Sequence, residues 1–522
     1  MPVTEVPFDL RSVTGDEAAG NRPSRLAAAR GQTWRDDVHL LPSFLIALFV
    51  CAWFVTWGDW KFFEKDEFCG FYDAQAKSMI AGRLDVPPAA IGTEAFTFQG
   101  KSYGYFGIAP ALLRVPLVAA FKNMDGRWSR LMMLIACTIN LISAYRILRI
   151  VAADRASNSR AQRMLESLFI LCAGIGSTNV FLVARSFTYH EAIMWGSAFA
   201  LLFTLALLRY FARPRYRFLL LAALFAFMSL HSRATAGVGA LLALCVLTGI
   251  LSWRAIRKPE AGRSTFGVGA VARPSLHAAV AGVAVIIILG SYLGVNYAKF
   301  HTFDGVPLKY YDFYVRNPQY LQMTGARQIH LKNIPTTVAS YLGVNGLWLD
   351  ARFPWLFPSR EATFIGSPVI MVVEGFSTFP VSMPALFLLA LFGCQPLVCG
   401  SNEITRRLRL PAAALFLGGG VIFATLAITE RYLHDLYPAL IVCAAVGVAR
   451  VKQERHARGA TVLVGALSVA SIALNCSFAL ENQRLDAWAM GGVPPVKRAE
   501  FKQLQRSVYR FFRPSTAPDP KK

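Results

Sequence analysis

Residues 40–67 read LLPSFLIALFVCAWFVTWGDWKFFEKDE, and this stretch decides the fold. From Leu40 to Trp57 there is no charged residue. A helix needs about 20 apolar residues to cross the hydrocarbon core of a bilayer. The run turns at Gly58 and arrives at Lys65-Asp66-Glu67. It reads as a membrane span that delivers an acidic pair to one surface.

The rest of the chain repeats the pattern. Of 522 residues, 55% are hydrophobic and 16% charged, and the mean hydropathy is +0.42. A soluble chain carries roughly 25% charge, so a soluble protein is excluded. A net charge of +23 would suggest nucleic acid in a soluble domain. Here the basic residues stand between apolar runs, as in the cytoplasmic loops of membrane proteins, so no nucleic-acid partner is expected. Most cysteines lie in or beside those runs and read as small buried hydrophobes; Cys69 alone falls in a long polar loop, and no Cys/His spacing suits a metal.

Further spans are expected near 128–148, 167–184, 191–211, 217–231, 235–253, 276–297, 379–398, 411–428, 434–449 and 459–479, about eleven in an all-α polytopic membrane protein. The run 108–121 is either a half-inserted helix or a crossing. Residues 1–39 read as a disordered cytoplasmic tail, because their apolar core comes too late for a cleavable signal. Alternate connections are basic: Arg213, Arg215 and Arg217, then Arg254, Arg257 and Lys258, then Arg406, Arg407 and Arg409. The opposite turns carry one arginine each, at Arg185, Arg233 and Arg431. That asymmetry places the N-terminus in the cytoplasm of a multi-pass cell (inner or plasma) membrane protein. It leaves 58–127 and 298–378 outside. The tail resists it: 480–522 should lie outside, yet it is basic.

The expected organisation is the tail 1–39, a transmembrane module 40–297 containing the outer loop 58–127, an outer region 298–378, transmembrane helices 379–479, and the basic tail 480–522. In the first loop, Phe71–Arg83 reads as an amphipathic helix along the membrane surface. Phe71, Ala74, Met79 and Ile80 would face lipid, with Asp73, Lys77 and Arg83 toward water. Thr97–Lys101 suggests a tight hairpin around Gly100.

Charged groups beside spans are costly unless they work. Asp66-Glu67, Tyr189-His190-Glu191, His231-Ser232-Arg233 and Glu430-Arg431-Tyr432-Leu433-His434-Asp435 all fall on the outer side. Each has an ordinary reading. The acids can be solvated span ends or favourable helix N-termini, the arginines can snorkel to headgroups, His190 can be structural, and His434 and Asp435 can pair locally. The coincidence of all four on one side weighs more than any single cluster. An ionised carboxylate takes a proton from a hydroxyl, and arginines hold a phosphate as it leaves.

At these residues the chain resembles the GT-C membrane glycosyltransferases. The resemblance is to the branch of protein O-mannosyltransferases, lipid A aminoarabinose transferase and related lipopolysaccharide sugar transferases. The matching features are Asp66-Glu67 after the first span, the surface helix ending near Leu84-Asp85, and Tyr103–Pro110. Glu191 before Ala-Ile-Met-Trp, Arg233-Ala-Thr-Ala-Gly237, and Arg431-Tyr432-Leu433-His434-Asp435-Leu436-Tyr437-Pro438 complete the set. They run in order over roughly 60–450. The Lys-Pro-Pro of the aminoarabinose branch is absent, and Gly107-Ile108-Ala109-Pro110 stands in its place.

The resemblance implies a GT-C-like fold with outer-face surface helices, and inverting transfer of a sugar from a polyprenyl-phosphate donor to an envelope glycan, lipid or protein acceptor. Asp66 would be the base, with Asp73 competing for that place. Glu67 or Asp73 would orient the site, and Glu191 would position the acceptor or the base-bearing loop. Arg233 and Arg431 would bind the donor phosphate, with His190, Tyr432, His434 and Asp435 in support. No cofactor is demanded; some relatives bind a divalent metal, which this sequence does not indicate. Region 298–378 would recognise the acceptor. The rival class is a transporter or a lipid- or polysaccharide-handling protein without catalysis. Transporters place polar groups at mid-membrane within inverted repeats, and no repeat is visible here.

Overall fold

The computed structural model describes residues 34–66, 68–152, 160–257, 267–269, 271–451, 457–485 and 493–512. The helices that build the molecule are α1 (Leu41–Val55), α2 (Phe71–Ile80), α3 (Ala109–Ala120), α4 (Ser129–Ala152), α5 (Arg160–Gly174), α6 (Thr178–Val183), α7 (Thr188–Ala212), α8 (Tyr216–Leu230), α9 (Ala234–Ile256) and α10 (Pro274–Phe300). The second half adds α11 (Pro384–Cys399), α12 (Glu403–Gly419), α13 (Tyr437–Val451), α14 (Ala457–Arg484) and α15 (Pro495–Phe512). Among the described residues nine helical stretches are long and apolar enough to cross a membrane, and α3, α8 and α11 are shorter apolar helices. Helix α7 leads away from the end that carries Asp66, and α9 starts again at that end, so the chain must return through α8. The same argument makes α11 a pass, while α3 stays within the loop 58–127. The protein is a multi-pass membrane protein with about the number of passes the apolar runs imply.

Small residues bring the helices together. A Cβ on Gly393 of α11 would fall 1.8 Å from the Cys443 carbonyl oxygen of α13, and one on Gly447 would fall 1.8 Å from that of Leu389. Only glycine allows so close a backbone contact, the usual device of helix packing in lipid. The expected span 167–184 is interrupted between α5 and α6. The Ala173 carbonyl accepts from Asn179 (2.7 Å) and from the Tyr437 hydroxyl (2.9 Å), so the break leaves no orphaned backbone where water is scarce.

One end of the bundle is tied together by long-range bonds. The Gln483 amide of α14 donates to the carbonyls of Phe54 and Ala184, both at 2.7 Å. Lys299, buried at the end of α10, donates to the carbonyls of Gly104 (3.0 Å) and Phe106 (2.9 Å). Strand β1 (Phe96–Phe98) pairs antiparallel with β2 (Lys101–Tyr103) about the Gly100 turn, as expected. The hairpin of β3 (Leu347–Leu349) and β4 (Leu356–Pro358) follows. A parallel pair, β5 (Val372–Val373) with β6 (Ala427–Ile428), fastens 298–378 to the α12–α13 connection.

One expectation changes. Helix α2 does not turn Phe71 to lipid. Phe71, Tyr72, Asp73, Gln75 and Ala76 are buried, and the helix packs on α3. An amphipathic pattern states that one face avoids water without stating what covers it. The basic tail joins the end that carries Asp66. Lys497 pairs with Asp59 at 2.9 Å, Arg484 donates to the Trp57 carbonyl at 2.8 Å, and the Phe501 ring lies 5.8 Å from Phe353. Arg484, Lys497 and Arg498 meet protein partners while Lys502, Arg506 and Arg510 stay exposed, and long segments obey the positive-inside rule weakly.

Single cysteines introduced at Gly100, Gly325 and Ser507 should react with a membrane-impermeant maleimide from one side, and at Arg257 and Asn402 from the other. Labelling of Ser507→Cys from the Arg257 side would contradict the docked tail.

Candidate active site

The first cluster is a buried ion triad. Asp73, in the first turn of α2, accepts from Arg114 Nη1 and from the Gly126 amide, both at 2.5 Å. Arg114 Nη2 reaches both oxygens of Glu191 at 2.7 and 2.6 Å and the Ser129 hydroxyl at 2.9 Å. The three side chains are at most 2% exposed. Burial pushes the Asp73 carboxyl upward, and Arg114 and the Gly126 amide pull it back. Two carboxylates share one guanidinium here, so the backbone amide and the N-terminus of α7 carry part of the compensation. Asp73, expected as a rival base or an orienting group, and Glu191, expected to position the acceptor or the base-bearing loop, are thus joined by Arg114, a residue that sequence reasoning passed over. Its signal was an arginine in the middle of the apolar APALLRVPLVAA.

Asp66 lies in the next cleft. Arg130, at the start of α4, donates Nε to one oxygen at 2.8 Å and Nη2 to the other at 2.5 Å. It also holds the Lys61 carbonyl at 2.8 Å. This cleft, about 330 Å³, is lined in part by Trp57, Lys65, Asp66, Arg185, Phe187 and Lys497. Glu67 lies outside the described residues.

The turn Glu430–Leu436 is 3₁₀, so with three residues per turn Tyr432 and Asp435 share a side. Both meet Arg233. Its guanidinium pairs with Asp435 at 3.0 and 2.9 Å and lies 5.3 Å from the Tyr432 ring centre. Thr235 also donates to Asp435. Arg431 pairs with Glu374 at 2.7 and 2.9 Å. It lies over Tyr189 at 5.2 Å and Tyr432 at 5.8 Å. Both arginines expected to bind phosphate thus lie against one ring, that of Tyr432. His434 is a structural link: its ring nitrogens meet the hydroxyls of Thr178 (2.8 Å) and Ser197 (3.0 Å). His190 is bonded to the backbone carbonyls of Leu182 and Arg185 at 3.0 Å.

Arg431, Tyr432 and His190 line a second cavity of about 330 Å³, with Glu94, Tyr105, Tyr189, Tyr311 and Glu374. The Tyr311 hydroxyl donates to Glu94 at 2.5 Å, and burial pushes the Glu94 carboxyl upward against the pull of Tyr189, Tyr311 and Arg431. Glu94, Glu374 and Tyr311 carried no local signal. Arg185 and Phe187 line this cavity and the Asp66 cleft alike. Two residues beyond Tyr105, the chain presses on the end of α8 at Gly107, where a Cβ would fall 1.9 Å from the His231 carbonyl oxygen. Among the described residues no three His, Cys, Asp or Glu side chains converge as a metal site would require.

Arg114→Met should leave two buried carboxylates without their cation, a loss of about 3–5 kcal/mol. The readout is the thermal midpoint of the detergent-purified protein. Arg114→Met together with Asp73→Asn and Glu191→Gln should recover part of it. A single variant as stable as wild type would contradict the triad's role.

No protein-family model matches the chain, and no curated protein matches it. The solved structures that do match include the oligosaccharyltransferase of Archaeoglobus fulgidus tethered with an acceptor peptide, at 12% identity and TM-score 0.50, covering 94% of this chain. The apo form of that enzyme matches at 13% identity and TM-score 0.49, covering 94% of this chain and 62% of its own. Its complex with an inhibitory peptide and a dolichol-phosphate matches at 12% and 0.48, again with 94% and 62% coverage. The chain spans 60% of the length of the peptide-tethered structure. At such identities the likeness speaks for architecture alone: this membrane protein has the GT-C fold.

Proposed function

We propose that the chain is a membrane glycosyltransferase that moves a sugar from a polyprenyl-phosphate donor to an acceptor hydroxyl. One observation carries this reading. Two arginines flank Tyr432 beside an aromatic cavity, at an end of an apolar bundle that a lipid-borne headgroup can reach from the bilayer. The positive-inside pattern makes that end the outer face of a cell membrane. A donor phosphate gains charge as the glycosyl bond breaks, and cations held in place beforehand stabilise that charge most in a site with little water. Arg431 and Arg233 are held in place, by Glu374 and Asp435. Their partners can yield part of each guanidinium to the phosphate. Asp66 holds Arg130 at the adjoining cleft, where Lys65 and Arg185 add positive charge. Asp73 and Glu191 fix the loop through Arg114. Displacement by one hydroxyl inverts the anomeric centre.

The assay measures release of polyprenyl phosphate from a polyprenyl-phosphate sugar by the purified chain in lipid. Arg233→Lys and Arg431→Lys should each lower kcat/KM roughly 10–100-fold, the worth of hydrogen bonds to a charged group, because lysine lacks the planar fork. Arg83→Lys, in an exposed pair with Asp85, is the reference. Arg185 cannot serve as one, since it lines both cavities. Near-reference behaviour of both variants returns the arginines to a structural role. Translocation of the lipid-linked sugar across vesicles without release would favour transport instead.

A further inference from the structure

Of the carboxylates around the candidate site, most are already committed. Arg130 occupies both oxygens of Asp66, and Arg114 binds Asp73 and Glu191. Arg431 binds Glu374, and Arg233 binds Asp435. Glu430 accepts from the Ser377 amide and the Ser382 hydroxyl. Glu94 differs: it faces the aromatic cavity and is held by the hydroxyls of Tyr311 and Tyr189. Neutral phenols fix a carboxylate without the full charge that would suppress its affinity for a proton.

The cavity walls are equally specific in their chemistry. Phe96 and Tyr311 stack at 4.9 Å, and Tyr105, Tyr189, Tyr314 and Tyr432 add further ring faces and hydroxyls. Three carboxylates, Glu94, Glu374 and Glu481, are balanced by three guanidiniums, Arg185, Arg360 and Arg431. A volume of about 330 Å³ lies at the small end of ligand pockets, roughly 300–1,000 Å³. It suits a ring-sized group better than an extended peptide. Balanced charge offers an anionic group no net attraction. Amphipathic rings suit a ligand with apolar C–H faces and a hydroxyl rim.

We infer that this cavity is an acceptor subsite for a neutral sugar ring, and that Glu94 takes the proton of the attacking hydroxyl. This rests on the glycosyltransferase reading. The acceptor oxygen forms a bond to the anomeric carbon of the donor sugar. The bond from that carbon to the phosphate oxygen breaks, and its electron pair leaves on polyprenyl phosphate. The hydroxyl proton passes to Glu94 and then to water. The step needs no further reactant. Burial raises the Glu94 carboxyl, so the rate falls as pH drops through its shifted value and the base is protonated. The groups that face it and shape this limb are Tyr189, Tyr311, Arg431 and Glu374, with Tyr105 and Tyr314 beside them.

The experiment uses the full chain in lipid nanodiscs with two readouts. The first is saturation-transfer NMR with neutral methyl hexopyranosides and methyl pentopyranosides, which needs no turnover. Wild type and Tyr314→Phe should transfer saturation to at least one of them, and Tyr314→Ala should lose most of it. Absence of transfer in wild type, or equal transfer in Tyr314→Ala, overturns the subsite. The second is release of polyprenyl phosphate with that sugar as acceptor. Glu94→Gln should lose roughly 10²–10⁴-fold in kcat with the donor KM little changed, and should lose the acidic limb. Glu94→Asp should recover part of the rate. A Glu94→Gln enzyme with the wild-type rate and pH profile overturns the base while leaving the glycosyltransferase reading intact. Saccharide binding by a wild type that releases no polyprenyl phosphate from any donor overturns that reading, and the base with it, while leaving the subsite standing.

Discussion

The Arg114 guanidinium, buried between Asp73 and Glu191, is the constraint on which the rest depends. It lies on α3, within the loop 58–127, and its partners lie on α2 and at the start of α7. Removing three charges from water is expensive, and only near-complete hydrogen bonding makes it tolerable. Gly126 and Ser129 add one bond each, while the buried Arg114 Nε is left without a partner among the described residues. The arrangement therefore does not slide: displacing any member leaves an unpaired charge in a dry place. Through it a loop of two short helices acquires one fixed seat on the bundle. The Asp66 cleft and the wall of the aromatic cavity inherit their geometry from that seat.

A second regularity follows from the low dielectric. Arginines at this end are repeatedly matched to a carboxylate: Arg130 to Asp66, Arg233 to Asp435, Arg431 to Glu374. Such pairs hold their geometry before any ligand arrives, so little reorganisation remains for the reacting state. The same pairing lowers the net field. A ligand must compete with an internal anion, which discriminates between a group that can bridge two guanidiniums and one that merely carries charge. The Tyr432 ring is shared by the two guanidiniums, at 5.3 Å from Arg233 and 5.8 Å from Arg431.

Much of this architecture was legible in the sequence because lipid imposes a simple rule. Apolar runs of sufficient length marked the passes, and their alternation gathered four polar clusters at one end. The Gly100 turn was legible from local chemistry alone. What stayed hidden were partners distant in sequence. Arg114 meets Asp73 across 41 positions and Glu94 meets Tyr311 across 217. Neither pair leaves a spacing to read. Arg130 stood at the edge of a span, where an arginine needs no explanation beyond headgroups. Helix α2 showed its amphipathic face, yet periodicity could not say that Phe71 packs on Phe106 rather than on lipid.

Helix α10 has 27 residues, about 40 Å of helix against a hydrocarbon core of about 30 Å. Only 17% of its most apolar window is buried in protein. Its tilt is set by its packing on α8 and α9 and by the anchors at its ends, within what the bilayer thickness allows. At its last turn Lys299 grips the carbonyls of Gly104 and Phe106, on either side of Tyr105 in the cavity wall. The backbone around Tyr105 is thereby tied to a helix that protein covers little along its most apolar stretch. Part of that cavity's wall thus hangs from a helix whose own packing contacts lie elsewhere, on α8 and α9.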